Sequence, residues 1–140
     1  MSSHILVIED DDSLRSVIAS TLTRLGYLVR TAQSGAHGLA LFAIEPAALV
    51  ITDVFMPEVD GLETIQELRK APCPPKIIAI SGGGVVRDLD ILRAAKLLGA
   101  DLVMSKPFSI SALIQAASAL LDAHAADLAQ REQVRIARPG

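Results

Sequence analysis

The 140-residue chain has a single cysteine, no apolar run longer than the six residues from Leu39 to Ile44, and no surplus of positive charge. One thiol, Cys73, cannot form an internal disulfide, and its setting in Ala71-Pro72-Cys73-Pro74-Pro75 reads as a surface loop rather than a reactive centre. The longest apolar run falls far short of the roughly 20 residues a transmembrane helix needs. Residues 1–12 offer neither the basic start nor the apolar core of a signal peptide. The expected location is therefore the cytoplasm, without membrane insertion. Thirteen Lys and Arg against sixteen Asp and Glu leave a net charge of −3, so bulk charge does not draw the chain to nucleic acid or to an acidic membrane. What the sequence does hold is a local excess. Glu9, Asp10, Asp11 and Asp12 stand side by side, and without those four acids the balance would be +1.

The length argues for one domain whose core is large enough to do without disulfides. Short β-branched runs alternate with longer stretches of helical period. Ile5 to Ile8, Tyr27 to Thr31, Ala48 to Thr52, Ile77 to Ile80 and Leu102 to Met104 read as strands. Three of them are almost continuously apolar, as in a parallel sheet covered by helices on both faces. Leu14, Val17, Ile18, Thr21, Leu22 and Leu25 recur at the spacing of one helix face, and Gly26 stops that helix. Further helical stretches run over about 34–45, 61–70 and 86–98, and from about 109 onward. Strand then helix, repeated five times, predicts an α/β fold built on an open, doubly wound, five-stranded parallel sheet with five helices.

In such a sheet the working site lies beyond the carboxyl ends of the strands. Glu9 to Asp12 follow the first strand, Asp53 ends the third, Ser81 follows the fourth, and Ser105-Lys106-Pro107 follow the fifth. Acids, a hydroxyl and a lysine therefore converge on one edge. Carboxylates crowded together repel one another and are relieved by a hard cation such as Mg²⁺. A carboxylate can also act as nucleophile toward a phosphoryl group, while an ammonium and a hydroxyl orient the remaining phosphoryl oxygens.

Ile5-Leu6-Val7-Ile8-Glu9-Asp10-Asp11, Asp53-Val54-Phe55-Met56-Pro57-Glu58-Val59-Asp60-Gly61, Ile78-Ala79-Ile80-Ser81-Gly82 and Lys106-Pro107-Phe108 occur in this order. Together they resemble the CheY-like receiver domain of two-component response regulators, over about residues 3–122. The resemblance implies the flavodoxin-like three-layer arrangement with strand order 2-1-3-4-5. It also implies that Asp53 is the phosphoacceptor, that Asp10 ligates Mg²⁺ directly and Glu9 through water, and that the backbone carbonyl of Phe55 completes the protein ligands together with Asp53. Mn²⁺ would be an acceptable substitute. Ser81 matches the switch hydroxyl and Lys106 the lysine that contacts the phosphoryl group, with Lys106-Pro107 cis. The implied donor is a phosphohistidine on a sensor histidine kinase or a phosphotransfer protein. Phe55 and Gly83 stand at positions that tune the lifetime of the phosphate in relatives.

Several residues have plainer readings. Asp11 and Asp12 read as the start of the first helix, where acids cap free amides. Gly82-Gly83-Gly84 matches neither phosphate-binding glycine pattern, and His4, His37 and His124 lack metal-ligand spacing. The family's usual aromatic residue on the fifth strand is replaced by Val103, so a hydroxyl-plus-aromatic switch is not expected. The output surface is expected on the helix at 86–98, the fifth strand and the last helix, with Ile91 and Leu98 exposed. No output domain is read after Leu121. The acids Asp122, Asp127 and Glu132 after Leu121 balance Arg131, Arg135 and Arg138, and residues 123–140 read as a helical extension that pairs with a partner or a second copy, or as a frayed tail, with no basic DNA-binding arm. The expected function is a phosphorylation-dependent switch that signals by protein contact or onward phosphotransfer. The rivals are a pseudo-receiver working without phosphorylation and a metabolic phosphatase, whose usual second acid is replaced here by Phe55.

Overall fold

The computed structural model describes residues 4–54, 61–82 and 93–137. Along the chain lie β1 (His4–Ile8), α1 (Asp12–Arg24), β2 (Leu28–Ala32), α2 (Gly35–Ile44), β3 (Leu49–Asp53), α3 (Gly61–Arg69), β4 (Lys76–Ser81), the helical residues 93–98 (α4), β5 (Leu102–Ser105) and α5 (Ile110–Ala137). All five strands are parallel, in the order β2-β1-β3-β4-β5. The expected α/β doubly wound sheet is the observed one.

Strand alternation explains why β1, β3 and β4 read as unbroken apolar runs. Successive side chains point to opposite faces, and both faces are covered. Ile5 and Val7, Leu49 and Ile51, and Ile78 and Ile80 pack with Ile18 and Leu22 of α1 and Leu113, Ala117 and Leu121 of α5. Leu6 and Ile8, Val50, and Ile77 and Ala79 pack with Phe42 of α2, Ile65 and Leu68 of α3 and Ala95 of α4. A single polar side chain within these strands would face a core whichever way it pointed, so polar residues collect at the strand ends.

Two local departures have physical causes. The second strand begins at Leu28 rather than Tyr27, because the turn that ends α1 extends further. Gly26 takes φ 97°, and the Gly26 and Tyr27 amides donate to the Thr23 and Leu22 carbonyls at 3.0 and 3.2 Å. Tyr27 is thus still closing the helix end. Leu98, expected to be exposed, is partly buried against the core with Ala95, and Leu97 is the outward residue at 88% exposure. Leu98 lies three positions after Ala95 and so shares its face. Ile91 falls outside the described residues.

The last helix starts at Ile110, where Ser109 Oγ accepts the Ala112 amide at 3.1 Å. It continues as helix to Ala137. Its distal half is tied back by Lys76 to Asp127 at 2.8 Å and by Arg131 donating to the Pro72 carbonyl at 3.2 Å. Among the described residues no helix is long and apolar enough to cross a membrane.

One close approach fixes the floor of the carboxyl edge of the sheet. A Cβ on Gly61 would stand 2.3 Å from Val54 Cα and 2.7 Å from the Asp53 carbonyl oxygen, both backbone atoms that cannot swing aside. Gly61→Ala is expected to destabilise the domain by about 1–3 kcal/mol. Urea unfolding checks this, and an unchanged midpoint would contradict the packing described.

Candidate functional site

Parallel pairing brings the ends of β1, β3 and β4 to one edge. Register sets Asp53 beside Ile80 and Ser81 beside Ser105, so the acid, the hydroxyl and the Lys106 backbone arrive together. The ladder runs on past the strands. The Glu9 amide donates to the Ala32 carbonyl at 3.0 Å, the Val54 amide to Ile80 at 2.8 Å and the Lys106 amide to Ser81 at 2.9 Å. The site is therefore mounted on the sheet itself.

Glu9 is only 2% exposed and Asp53 only 3%, whereas Asp10 is exposed. Ligand oxygens of the three lie within 4.8 Å of one another. Lys106 Nζ reaches between the two buried acids, 3.0 Å from Asp53 Oδ2 and 3.1 Å from Glu9 Oε1. The second contact lacks hydrogen-bond geometry, which leaves Glu9 Oε1 buried without a hydrogen bond. Glu9 Oε2 accepts the Asp11 amide at 3.1 Å. The peptide Lys106-Pro107 is cis. Ser81 Oγ, also fully buried, has no hydrogen-bond partner among the described residues either.

Electrostatics follow from this crowding. Burial is the main cause that pushes the Glu9 carboxyl up to about 7; the neighbouring Asp53 charge and Asp10 add to it, while the Asp11 amide and Lys106 pull the other way. For Lys106, burial acts downward, but the hydrogen bond to Asp53 and the close negative charges of Asp53 and Glu9 outweigh it and hold the ammonium above its usual value. The donor set is all oxygen, partly buried and short of positive charge, which suits a hard divalent cation. A buried hydroxyl without a partner among the described residues and a lysine ammonium set against the two acids are both groups that can donate to the oxygens of a tetrahedral anion.

The expected residues Glu9, Asp10, Asp53 and Lys106 thus come together, and Ser81 stands on the neighbouring strand end. Phe55 and Gly83 fall outside the described residues. Asp11 caps α1 by accepting the Leu14 amide at 3.1 Å, and Asp12 lies in the first turn, as the plainer reading of those two acids had it. The sequence reading missed Arg15, whose guanidinium donates to the Glu9 carbonyl at 2.9 Å. Its signal was a charged residue between the apolar Leu14 and Val17 near the start of the helix. Val103 is partly buried on the face that packs α2, α3 and α4.

Residues 5–118 match the response regulator receiver domain family, and the chain belongs to it. The chain is similar to the probable transcriptional regulator ycf27 of Cyanophora paradoxa, 40% identical over 105 residues that make up 75% of this chain and 42% of that protein. It is also similar to the transcriptional regulatory protein GlrR of Escherichia coli strain K12, 34% identical over 94% of this chain and 30% of that protein. This chain therefore spans well under half the length of these relatives. Among solved structures, NtrX from Brucella abortus in complex with ATP superposes with a TM-score of 0.85 at 27% identity, covering 95% of this chain and 30% of that one. A CheY-like receiver domain protein from Methanospirillum hungatei shares the fold, with a TM-score of 0.81 at 24% identity over 91% of this chain and 99% of its own.

The raised Glu9 carboxyl has a measurable consequence. Between the ordinary value of 4.5 and about 7 the folded chain binds a proton that the unfolded chain has released, so stability contributed by Glu9 is full below that window and lost as pH rises through it. With chelator present, the urea midpoint of the wild type is expected to fall across this window relative to Glu9→Gln. Parallel pH curves for the two proteins would contradict the assignment.

Proposed function

We propose that this receiver domain is a phosphorylation-dependent switch that takes a phosphoryl group onto Asp53 from a phosphohistidine on a sensor histidine kinase or a phosphotransfer protein. The observation that carries the proposal is the Lys106 ammonium set 3.0 and 3.1 Å from two buried carboxylates at the carboxyl edge of the sheet. An ammonium so placed neutralises the acceptor and is already beside the position a phosphoryl oxygen would take. Glu9, Asp10, Asp53 and the backbone carbonyl of Phe55 would hold Mg²⁺, or Mn²⁺ in its stead. When bound, the cation offsets the charge of the crowded acids and of the phosphoryl oxygens.

The chain's own residues do the rest. An Asp53 carboxylate oxygen forms the new P–O bond as the P–N bond to the donor imidazole breaks, with the electron pair leaving on the imidazole nitrogen. Lys106 and the Ser81 hydroxyl orient the transferred group by donating hydrogen bonds to its oxygens. Hydrolysis of the acyl phosphate resets the switch, so the domain assists its own modification and has no separate metabolic substrate. The unpaired Ser81 hydroxyl supports this reading, because phosphorylation would supply the acceptor it lacks. Output is a contact with another protein, or onward phosphotransfer, in the cytoplasm. Its surface would be α4, β5 and α5, with Leu97 replacing Leu98 as the exposed apolar contact.

The donor's approach is marked by a cleft of about 480 Å³ beside Lys106, walled by Leu14, Val17, Phe108 and Ile110. Val17 is 49% exposed there. A partner protein covers apolar surface of this kind, whereas a small phosphodonor does not need it.

Incubation with Mg²⁺ and acetyl phosphate is expected to add one phosphoryl group, mapped to Asp53 and absent in Asp53→Asn. Lys106→Met is expected to slow the labelling by about 10²-fold. No labelling together with no beryllofluoride binding would favour a pseudo-receiver, and labelling that persists in Asp53→Asn would move the acceptor to another carboxylate.

Val17→Asp is expected to reduce phosphorylation by the cognate kinase while labelling by acetyl phosphate keeps its wild-type rate. Equal losses with both donors would remove the docking cleft from the account.

A further inference from the structure

At the opposite edge of the sheet, where β1 and β3 begin, a cavity of about 630 Å³ opens between the strand starts and one face of α5. Pro46, Ala47 and Ala48 form one wall, and Leu121, Ala125 and Leu128 the other. The contacts of Lys76 with Asp127 and of Arg131 with the Pro72 carbonyl hold the distal half of α5 in place beside it.

His4 lines this mostly apolar space and is only 5% exposed, yet neither ring nitrogen has a hydrogen-bond partner among the described residues. Burial lowers its pKa, with Glu45 opposing and Arg30 assisting, so the ring is neutral near pH 7. A neutral imidazole carries one donor nitrogen and one acceptor nitrogen. Nδ1 lies 3.4 Å from Glu45 Oε1, which assigns the proton to Nδ1. Nε2 is then a buried acceptor with no donor, an uncommon state for a folded protein.

We propose that this cavity binds a small, mostly apolar molecule carrying one hydroxyl, of the alkylphenol type, whose hydroxyl donates to His4 Nε2. The volume lies within the range of about 300–1,000 Å³ typical of small-ligand sites. Eleven residues line it, against about 20–30 a side for a stable protein interface. A metal fits poorly, because among the described residues the only ligand cluster is Glu9, Asp10 and Asp53. An anion fits no better, since burial also lowers the pKa of His124 and the remaining ionisable liner apart from Cys73 is the acid Glu132.

The test is a nitrogen-15 amide titration of the full chain with 4-propylphenol and with its methyl ether. Saturable shifts are expected at residues 46–48, 73 and 121–132, with the phenol bound about three- to tenfold more tightly, the worth of one hydrogen bond. His4→Phe is expected to keep binding and equalise the two probes, and Leu128→Trp to fill the cavity and abolish both. The proposal is overturned by the absence of saturable shifts with either probe, by a phenol preference that survives in His4→Phe, or by shifts that persist in Leu128→Trp. It is equally overturned if light scattering shows a wild-type dimer that Leu128→Trp dissociates, which would give the cavity to a second copy.

Discussion

Two acids with almost no exposed surface share one ammonium, and much of the molecule's arrangement follows from that sharing. Burying Glu9 and Asp53 beside each other is unfavourable unless a cation compensates both. Lys106 does so from the strand furthest along the sheet from β2, which requires β1, β3, β4 and β5 to end level. The parallel register delivers that alignment, and the backbone bonds continuing past the strand ends keep it. Compensation is nevertheless incomplete, as the raised Glu9 carboxyl records. The buried pair stands one positive charge short of balance, with the exposed Asp10 adding a further acid, and that shortage is what makes the site receptive to a cation.

The two-faced core is the structural counterpart of this arrangement. With helices on both sides of the sheet, the interiors of β1, β3 and β4 have no place for ionisable groups, and there polar chemistry is confined to the two rims. The carboxyl rim collects the acids, the serine and the lysine. The amino rim holds His4, at the first position of β1, with Glu45 and Arg30 beside it. The two rims are joined by strands only five residues long, β1 and β3, so the carboxylate site and the cavity under α5 share the same two strands.

The central sheet was legible in the sequence because β1, β3 and β4 are buried on both faces and admit only apolar residues. The edge strand β2 carries exposed positions, and its start depends on how far the Gly26 turn reaches, so the expected bounds of 27–31 stood one residue early. Adjacent leucines at 97 and 98 cannot be phased without knowing which turn of the helix meets the sheet; Ala95 fixes it in three dimensions. At the site, Glu9, Asp10, Asp53, Ser81 and Lys106 were legible because each follows or ends a strand. Arg15 was not, since its role is toward a backbone carbonyl, and any residue supplies one. The isolation of His4 was equally hidden, because hydrogen-bond satisfaction is a property of neighbours distant in sequence.

Gly61 lends the site a mechanical asymmetry. The start of α3 rests directly on the backbone of Asp53 and Val54, with no side chain between to act as a cushion. Beneath the backbone that carries the Asp53 carboxylate there is thus a hard stop rather than a spring. A group added at Asp53 cannot be accommodated by recession of the chain that carries it, and the displacement is directed outward, toward the Lys106 ammonium that stands 3.0 Å from the carboxylate.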